Sequence, residues 1–263
     1  MATAVFFHAH PDDEAIQTGG TMARMAADGH RVVLVTATRG ELGEVPDGIL
    51  ASGETLAARR VEELAAACEV LGVARHEFLG YHDSGMAGEP TNEAPGCFWQ
   101  ADVDEAAARL AAILDGEQAE VFATYDENGG YGHPDHIQVH RVGIRAAERA
   151  ATPRVFMATI NRDYMLSLAD RADDFGLGMP EQQRSVLETL GVPGARITTA
   201  VDVSAYLDPK RRAMEAHASQ ISDTSFFLKM PPEAFAAVWS TEWYIRVGSE
   251  GASQLEDSLL AVS

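Results

Sequence analysis

Over the first 160 residues, five short apolar runs rich in β-branched and aromatic side chains alternate with four longer Ala- and Leu-rich stretches. Few folds accept that order. Each short run reads as a strand and each long stretch as a helix crossing back over the sheet, which builds βαβ units around a parallel sheet. Strands are predicted at Ala4–His8, Val32–Thr38, Glu77–Leu79, Val121–Thr124 and Val155–Ile160, with helices near Thr18–Asp28, Glu54–Leu71, Asp102–Leu114 and His136–Ala150. Asp102 followed by Glu105 has the form of a capping box, and Gly29 and Gly72 stand where helix C-caps belong. Beyond Asn161 the pattern loosens to a helix at Arg162–Asp170, a strand at Ile197–Val203, a helix at Pro209–Gln220 and a late strand at Glu242–Val247. The expected fold class is therefore α/β, a Rossmann-like three-layer arrangement with a mainly parallel sheet. Residues 1–160 form its core, and 161–263 a smaller irregular C-terminal cap of the same domain.

A chain of 263 residues is large enough to fold around its own core. Forty acidic against twenty basic residues leave a formal charge of -20, and only Lys210 and Lys229 are lysines. Such a balance argues against a nucleic-acid or anionic-lipid surface. No apolar run approaches the ~20 residues of a membrane span, and no signal-peptide pattern opens the chain, so a cytoplasmic location is expected. Two cysteines, Cys68 and Cys97, supply neither a disulfide framework nor a four-thiolate metal site.

Three long loops, at 39–53, 80–101 and 125–134, all follow predicted strands. In an open parallel sheet such loops converge on one crevice at the carboxyl edge, where ligands bind. The loop after the first strand reads His8-Ala9-His10-Pro11-Asp12-Asp13-Glu14, two imidazoles and three carboxylates within seven residues. Crowding and desolvating like charges is costly unless a cation or hydrogen bonds compensate. A divalent metal resolves the conflict; a solvated acidic loop at a helix N-terminus is the plain alternative. The loop after the fourth strand, Tyr125 to His136, brings a second such cluster to the same edge. Two His and one carboxylate suit a catalytic zinc with a position left for water. His133, His136 and His140 all have helix-face spacing, so spacing alone does not choose among them.

His10-Pro11-Asp12-Asp13-Glu14, Gly19-Gly20-Thr21 and Gly132-His133-Pro134-Asp135-His136 closely resemble the PIG-L/LmbE-like zinc-dependent N-deacetylases, over most of the chain. Within that family the likeness is strongest to the mycothiol-pathway branch acting on N-acetylglucosaminyl-inositol, carried by Asp83-Ser84-Gly85-Met86, the Tyr125–Gly132 stretch and His217-Ala218-Ser219-Gln220. The resemblance implies zinc held by His10, Asp13 and His136, with Asp12 as general base. It implies His133 as oxyanion stabiliser or general acid, Asp135 orienting and charging His133, and Tyr131 helping to hold the tetrahedral intermediate. Arg60, Asp83 and His217 are the implied substrate contacts. Zinc at such a site acidifies water and polarises the amide carbonyl, and an amide also needs its amine protonated to leave. Iron suits the same ligand set.

The expected activity is removal of an N-acetyl group from an amino-sugar glycoside, giving free amine and acetate. The nearest rival is the amidase of mycothiol S-conjugates, a branch that tends to carry Lys where this chain has Gln17. Other members of the family deacetylate glycolipids, chitin oligomers or antibiotics. A non-catalytic nucleotide-binding module predicts Gly-x-Gly-x-x-Gly after the first strand, and His10-Pro11-Asp12 stands there instead. A serine hydrolase lacks its Gly-x-Ser-x-Gly elbow. The partner expected is a small amino sugar, with neither nucleic acid nor membrane, and self-association into a homo-oligomer. His8 is expected to brace the site rather than bind metal, and Phe226, Phe227, Trp239 and Trp243 to form the core of the cap.

Overall fold

The computed structural model describes residues 1–249 and 254–260. Its strands are β1 (Thr3–His8), β2 (Arg31–Thr36), β3 (Arg75–Phe78), β4 (Val121–Tyr125), β5 (Arg154–Thr159), β6 (Thr199–Asp202) and β7 (Thr241–Arg246). Its helices are α1 (Asp13–Gln17), α2 (Gly19–Ala27), α3 (Leu56–Leu71), α4 (Val103–Gly116), α5 (Pro134–Ala150), α6 (Arg162–Ala169), α7 (Glu181–Leu187), α8 (Leu207–Ala216), α9 (Phe226–Lys229) and α10 (Pro232–Trp239). The strands make one sheet in the order β3-β2-β1-β4-β5-β7-β6. The first five run parallel, as the alternation of runs and helices predicts.

The apolar runs are nearly continuous because both faces of the sheet are covered. Ala4 and Phe6 of β1, Val32 and Leu34 of β2, and Val121 and Ala123 of β4 pack against Met22 and Met25 of α2, Leu64 and Ala67 of α3 and Met214 of α8. Their neighbours Val5, Phe7, Val33, Val35 and Phe122 point the other way, onto Leu110 of α4 and Val139 and Val142 of α5. β2 ends at Thr36, but Ala37 and Thr38 continue beside β1 and donate to the carbonyls of His8 and Ala9.

The irregular C-terminal part differs from the expected cap. β7 pairs antiparallel with β5, and β6 antiparallel with β7, so both predicted strands extend the sheet. The free edge of β5 carries unpaired backbone groups, and covering them with strand is the ordinary remedy. Glu242 on β7 reaches back to α2, accepting from Gly20 N and Thr21 N at 2.8 Å each. A side chain at Gly20 would come within 2.6 Å of Val203. The capping box at Asp102 is half realised. Asp102 accepts from Glu105 N at 2.9 Å, whereas the Glu105 carboxylate turns to Arg109. No helix among the described residues is long and apolar enough to cross a membrane.

Candidate active site

β1 and β4 are parallel neighbours, in register Ala4 with Val121 through Phe6 with Ala123. The loops leaving their carboxyl ends therefore start side by side, which is why residues far apart in sequence meet. The first loop feeds α1, which starts at Asp13, and the second feeds α5, with His133 as its N-cap and Pro134 in the first helical position. Gly129 lies against the first turn of α5; a Cβ there would sit 2.4 Å from that of His136. The carbonyl of Gly129 thus comes within 3.1 Å of His136 Nδ1.

That contact decides the state of His136. A carbonyl only accepts, so Nδ1 carries the proton and Nε2 presents a lone pair. His10 is oriented the same way. Its Nε2 lies 3.1 Å from the buried Asp135 carboxylate and donates to it, leaving Nδ1 turned to Asp13. His10 Nδ1 and His136 Nε2 then face the same oxygen, Asp13 Oδ2, at 3.4 and 3.3 Å. Three potential ligand atoms converge there with one backbone donor, His10 N at 2.9 Å from Asp13 Oδ2. A cation in place of the protons that the imidazoles otherwise share with the carboxylate turns them into a ligand set. The donors fit a divalent metal, two imidazoles and a carboxylate each held by outer partners. Burial opposes charge on His10, yet hydrogen bonds to Asp13, Asp135 and Asp83 raise its pKa well above the ordinary imidazole value. Burial likewise opposes ionisation of Asp13, and His136 and His10 outweigh it, holding that carboxyl well below the usual range.

His10, Asp83 and His133 form a second close group, but His133 is not free to ligate. Its Nδ1 accepts from Asp135 N at 3.1 Å, so the proton sits on Nε2, the nitrogen left for the cavity. Burial, then the charges of His10 and His136, lower its pKa to about 4 and keep the ring neutral near pH 7. His140 is tied to the Tyr125 carbonyl by Nδ1 at 2.9 Å. Of the three imidazoles that spacing left equivalent, His136 joins His10 and Asp13.

Asp12 lines the cavity beside this triad and has an unusual backbone, φ 114° and ψ -30°. A positive φ on a non-glycine residue costs ~1–3 kcal/mol and persists only where the surroundings enforce it. Its N–H donates to Glu14 Oε2 at 3.0 Å, and its carbonyl caps α1 by accepting from Ala15 N and Ile16 N. With capping done by backbone, the carboxylate is left to the cavity, 3.2 Å from Arg60 Nη2. Burial raises its pKa to about 6 against the pull of Arg60. Tyr131 stands at the cavity mouth, 47% exposed, with its hydroxyl 3.5 Å from His136 Nε2.

Two residues, Asp135 and His217, sit otherwise than expected. The Asp135 carboxylate bonds His10 Nε2, Ser84 N and Ser84 Oγ, and meets His133 only through its backbone N–H. It therefore orients His10, because the first turn of α5 aims it at β1. His217 does not line the cavity. It is fully buried behind α1, with Nε2 2.6 Å from Glu14 Oε1. Arg60 does reach the cavity but is largely occupied, donating to Gly40 O, Pro11 O and Gln220 Oε1. Its neighbour Arg59 faces out and pairs with Glu54. Asp83 lines the cavity and accepts from Gly85 N and Leu42 N; burial raises its pKa, but the nearby His10 outweighs that and lowers it. As expected, His8 braces the site, bonding Tyr125 OH at 2.7 Å and Thr18 Oγ1 at 2.8 Å.

The cavity measures about 660 Å³. Polar side chains in its lining include Glu44, Arg60, Asp83, Glu89 and Gln220, and apolar ones Met165, Leu190, Phe227, Trp239 and Trp243. The aromatics expected in the cap core thus partly wall the cavity.

Residues 5–147 match the family model described as PIG-L, GlcNAc-PI de-N-acetylase. A curated relative from Acidothermus cellulolyticus, named 1D-myo-inositol 2-acetamido-2-deoxy-alpha-D-glucopyranoside deacetylase, is 46% identical over 260 residues, covering 93% of this chain and 88% of its own. The chain belongs to the PIG-L family. Among solved structures, this PIG-L chain superposes on N,N'-diacetylchitobiose deacetylase from Pyrococcus horikoshii with a TM-score of 0.59 at 23% identity, covering 93% of this chain and 83% of that one. It superposes equally, at 0.59 and 19% identity over 97% of this chain and 100% of the other, on a 4-carboxy-2-hydroxymuconate hydratase from Pseudomonas putida. The PIG-L fold is thus shared with a different chemistry, and the argument for activity rests on the site.

Proposed function

We propose that this PIG-L chain hydrolyses the N-acetyl amide of an amino-sugar glycoside of the N-acetylglucosaminyl-inositol type, releasing acetate and free amine with zinc as its metal. The observation that carries the reading is the convergence of His10 Nδ1, His136 Nε2 and Asp13 Oδ2 beside a base-like Asp12. Zinc held there supplies Lewis acidity to the amide carbonyl and lowers the pKa of water from ~15.7 to near 7.

The protein's own groups do the rest. Asp12 takes the proton of the attacking water, its pKa of about 6 suiting a base near neutrality. The water oxygen bonds the acyl carbon, the carbon–nitrogen bond breaks, and the nitrogen takes up a proton. His133, neutral, donates a hydrogen bond from Nε2 to the oxyanion, Asp12 passes the proton it took on to the departing amine, and Tyr131 adds a hydroxyl donor from the cavity mouth. Asp135 acts by holding the His10 ring. Arg60 and Asp83, in the cavity lining, meet sugar hydroxyls. Curated relatives bearing the inositol glycoside name support this substrate class.

The test is amine release from N-acetylglucosaminyl-inositol by zinc-loaded protein. Asp12→Ala is expected to keep zinc and lose ~10²- to 10⁴-fold in kcat, and His136→Ala to lose zinc and turnover together. Near-normal turnover by Asp12→Ala removes the base assignment. Amidase activity on mycothiol S-conjugates is a second reading, favoured by the aromatic and aliphatic side chains in the cavity lining, which suit a bulky acyl substituent, while Gln17 stands on the wall. Assaying both substrates side by side separates the two.

A further inference from the structure

Glu14 and His217 are fully buried, they pair at 2.6 Å, and neither lines the cavity. The reaction outlined above gives them nothing to do, yet a buried carboxylate–imidazole pair is costly to keep without a purpose. What they touch supplies the purpose. Glu14 spends one oxygen on His217 and the other on the N–H of Asp12. Asp12 is the residue whose φ of 114° lies far from the region L-residues favour. The other two non-glycine residues with positive φ among those described, Gln118 and Ala151, lie near 50°, the ordinary left-handed conformation after a helix.

We infer that Glu14 and His217 are positioning residues for the reaction: the pair holds the Asp12 peptide in its strained turn and thereby aims the base at the attacking water. Rotating the peptide to negative φ would carry the Asp12 N–H away from Glu14 and swing the carboxylate off the cavity. Arg60 clamps the other side through Pro11 O and Asp12 Oδ1. His217 is in turn fixed at the C-cap of α8, where its N–H donates to Met214 O and its carbonyl accepts from Gln220 N and Ile221 N. The same segment is tied to α3 by Ser219, whose N and Oγ donate to Glu63. The short motif around His217 thus has a mechanical role, transmitting the position of α8 and α3 to the base.

This inference rests on Asp12 being the base, and a double-mutant cycle keeps the two ideas apart. Glu14→Ala, Asp12→Ala and the double variant are compared as zinc-loaded enzymes for kcat, KM and zinc affinity. Outer-sphere partners typically contribute ~10- to 100-fold. Glu14→Ala is therefore expected to lower kcat ~10- to 100-fold with KM and zinc affinity within about threefold, and to change nothing further in the Asp12→Ala background. Glu14→Gln and His217→Gln, which keep a hydrogen-bonding group at each place, are expected to recover most of kcat, and they serve where the alanine variant fails to fold. An inactive Asp12→Ala beside a fully active Glu14→Ala, or beside Glu14→Gln and His217→Gln variants that fold yet recover no kcat, overturns the inference alone. So does a Glu14→Ala loss that multiplies with Asp12→Ala or merely follows zinc affinity. An active Asp12→Ala overturns the base assignment as well.

Discussion

Two clusters of buried charge flank α1, and they are built on opposite rules. At its start, His10 Nδ1, His136 Nε2 and Asp13 Oδ2 come together with a single backbone donor, the N–H of His10, between them. At its end, Lys210 Nζ donates to Ile16 O at 2.7 Å and Glu242 Oε1 at 2.6 Å, while Glu242 also accepts from Gly20 N, Thr21 N and Tyr244 OH. The second cluster is neutral, and its charged groups all have partners. Buried charge alone is therefore a poor sign of function. The informative quantity is the balance of donors and acceptors: where it closes, the cluster is scaffold, and where it does not, something from solution completes it.

The largest expected effect tests the closed cluster. Lys210→Met leaves Glu242 buried without its cation, and breaking a buried pair this way costs ~3–5 kcal/mol. Urea unfolding is expected to show that loss equally in metal-free and zinc-saturated protein. A loss that disappears when zinc is bound means the clusters are one system, and the contrast fails. Next comes the open cluster. Zinc at a hundredfold excess over Kd is expected to stabilise the parent by ~2.7 kcal/mol. Asp13→Asn is expected to abolish this gain and to destabilise the metal-free protein as well, because, against the cost of burial, the two imidazoles hold the parent carboxylate ionised below its usual range. A zinc gain that survives in Asp13→Asn contradicts the reading.

The same contrast explains what could be read in advance. β1, β2, β4 and β5 announce themselves because each is a local apolar run, and the parallel order then brings the carboxyl-end loops together. His10, Asp12, Asp13, His133 and His136 stand out as clustered polar residues on those loops. Their division of labour does not. That His136 presents Nε2 depends on Gly129 O, and that Asp135 serves His10 rather than His133 depends on which way the first turn of α5 faces. The five-residue α1 is too short for any periodicity, and the turn at Asp12 has no composition to mark it. The buried pairings of Glu14, His217, Lys210 and Glu242 leave no mark in sequence, since their partners lie about 30 to 220 positions away.

A smaller effect grades the closed cluster from within. Tyr244 OH donates to Thr21 Oγ1 at 2.8 Å and lies 3.3 Å from Glu242 Oε2. Tyr244→Phe removes one neutral donor but leaves Glu242 its cation and two backbone amides, so a cost of ~1 kcal/mol is expected. A loss as large as that of Lys210→Met indicates that the hydroxyl, not the lysine, holds the carboxylate.

The smallest effect belongs to charge that is not buried at all. Asp104 on α4 meets Arg145 and Arg149 of α5 at 2.7 and 3.3 Å, with every partner more than 40% exposed. The hydrogen bond from Arg145, then its charge, lowers the Asp104 pKa. A carboxylate depressed on folding stabilises above its unfolded value, near 3.8, and loses that contribution as pH falls through the folded one. Asp104→Asn is thus expected to lower Tm slightly at pH 7, less than Tyr244→Phe, and by progressively less as pH falls below 3.8. At ~1 M salt, where the screening length is ~3 Å, the difference should vanish. The overall charge of -20 pulls the other way, because any lost carboxylate relieves repulsion across the whole surface. Two arginines within hydrogen-bonding distance outweigh distant acids only if local contact dominates. A rise in Tm for Asp104→Asn at low salt shows that the global field wins on this protein, and that even its exposed pairs cannot be judged without the acidity around them.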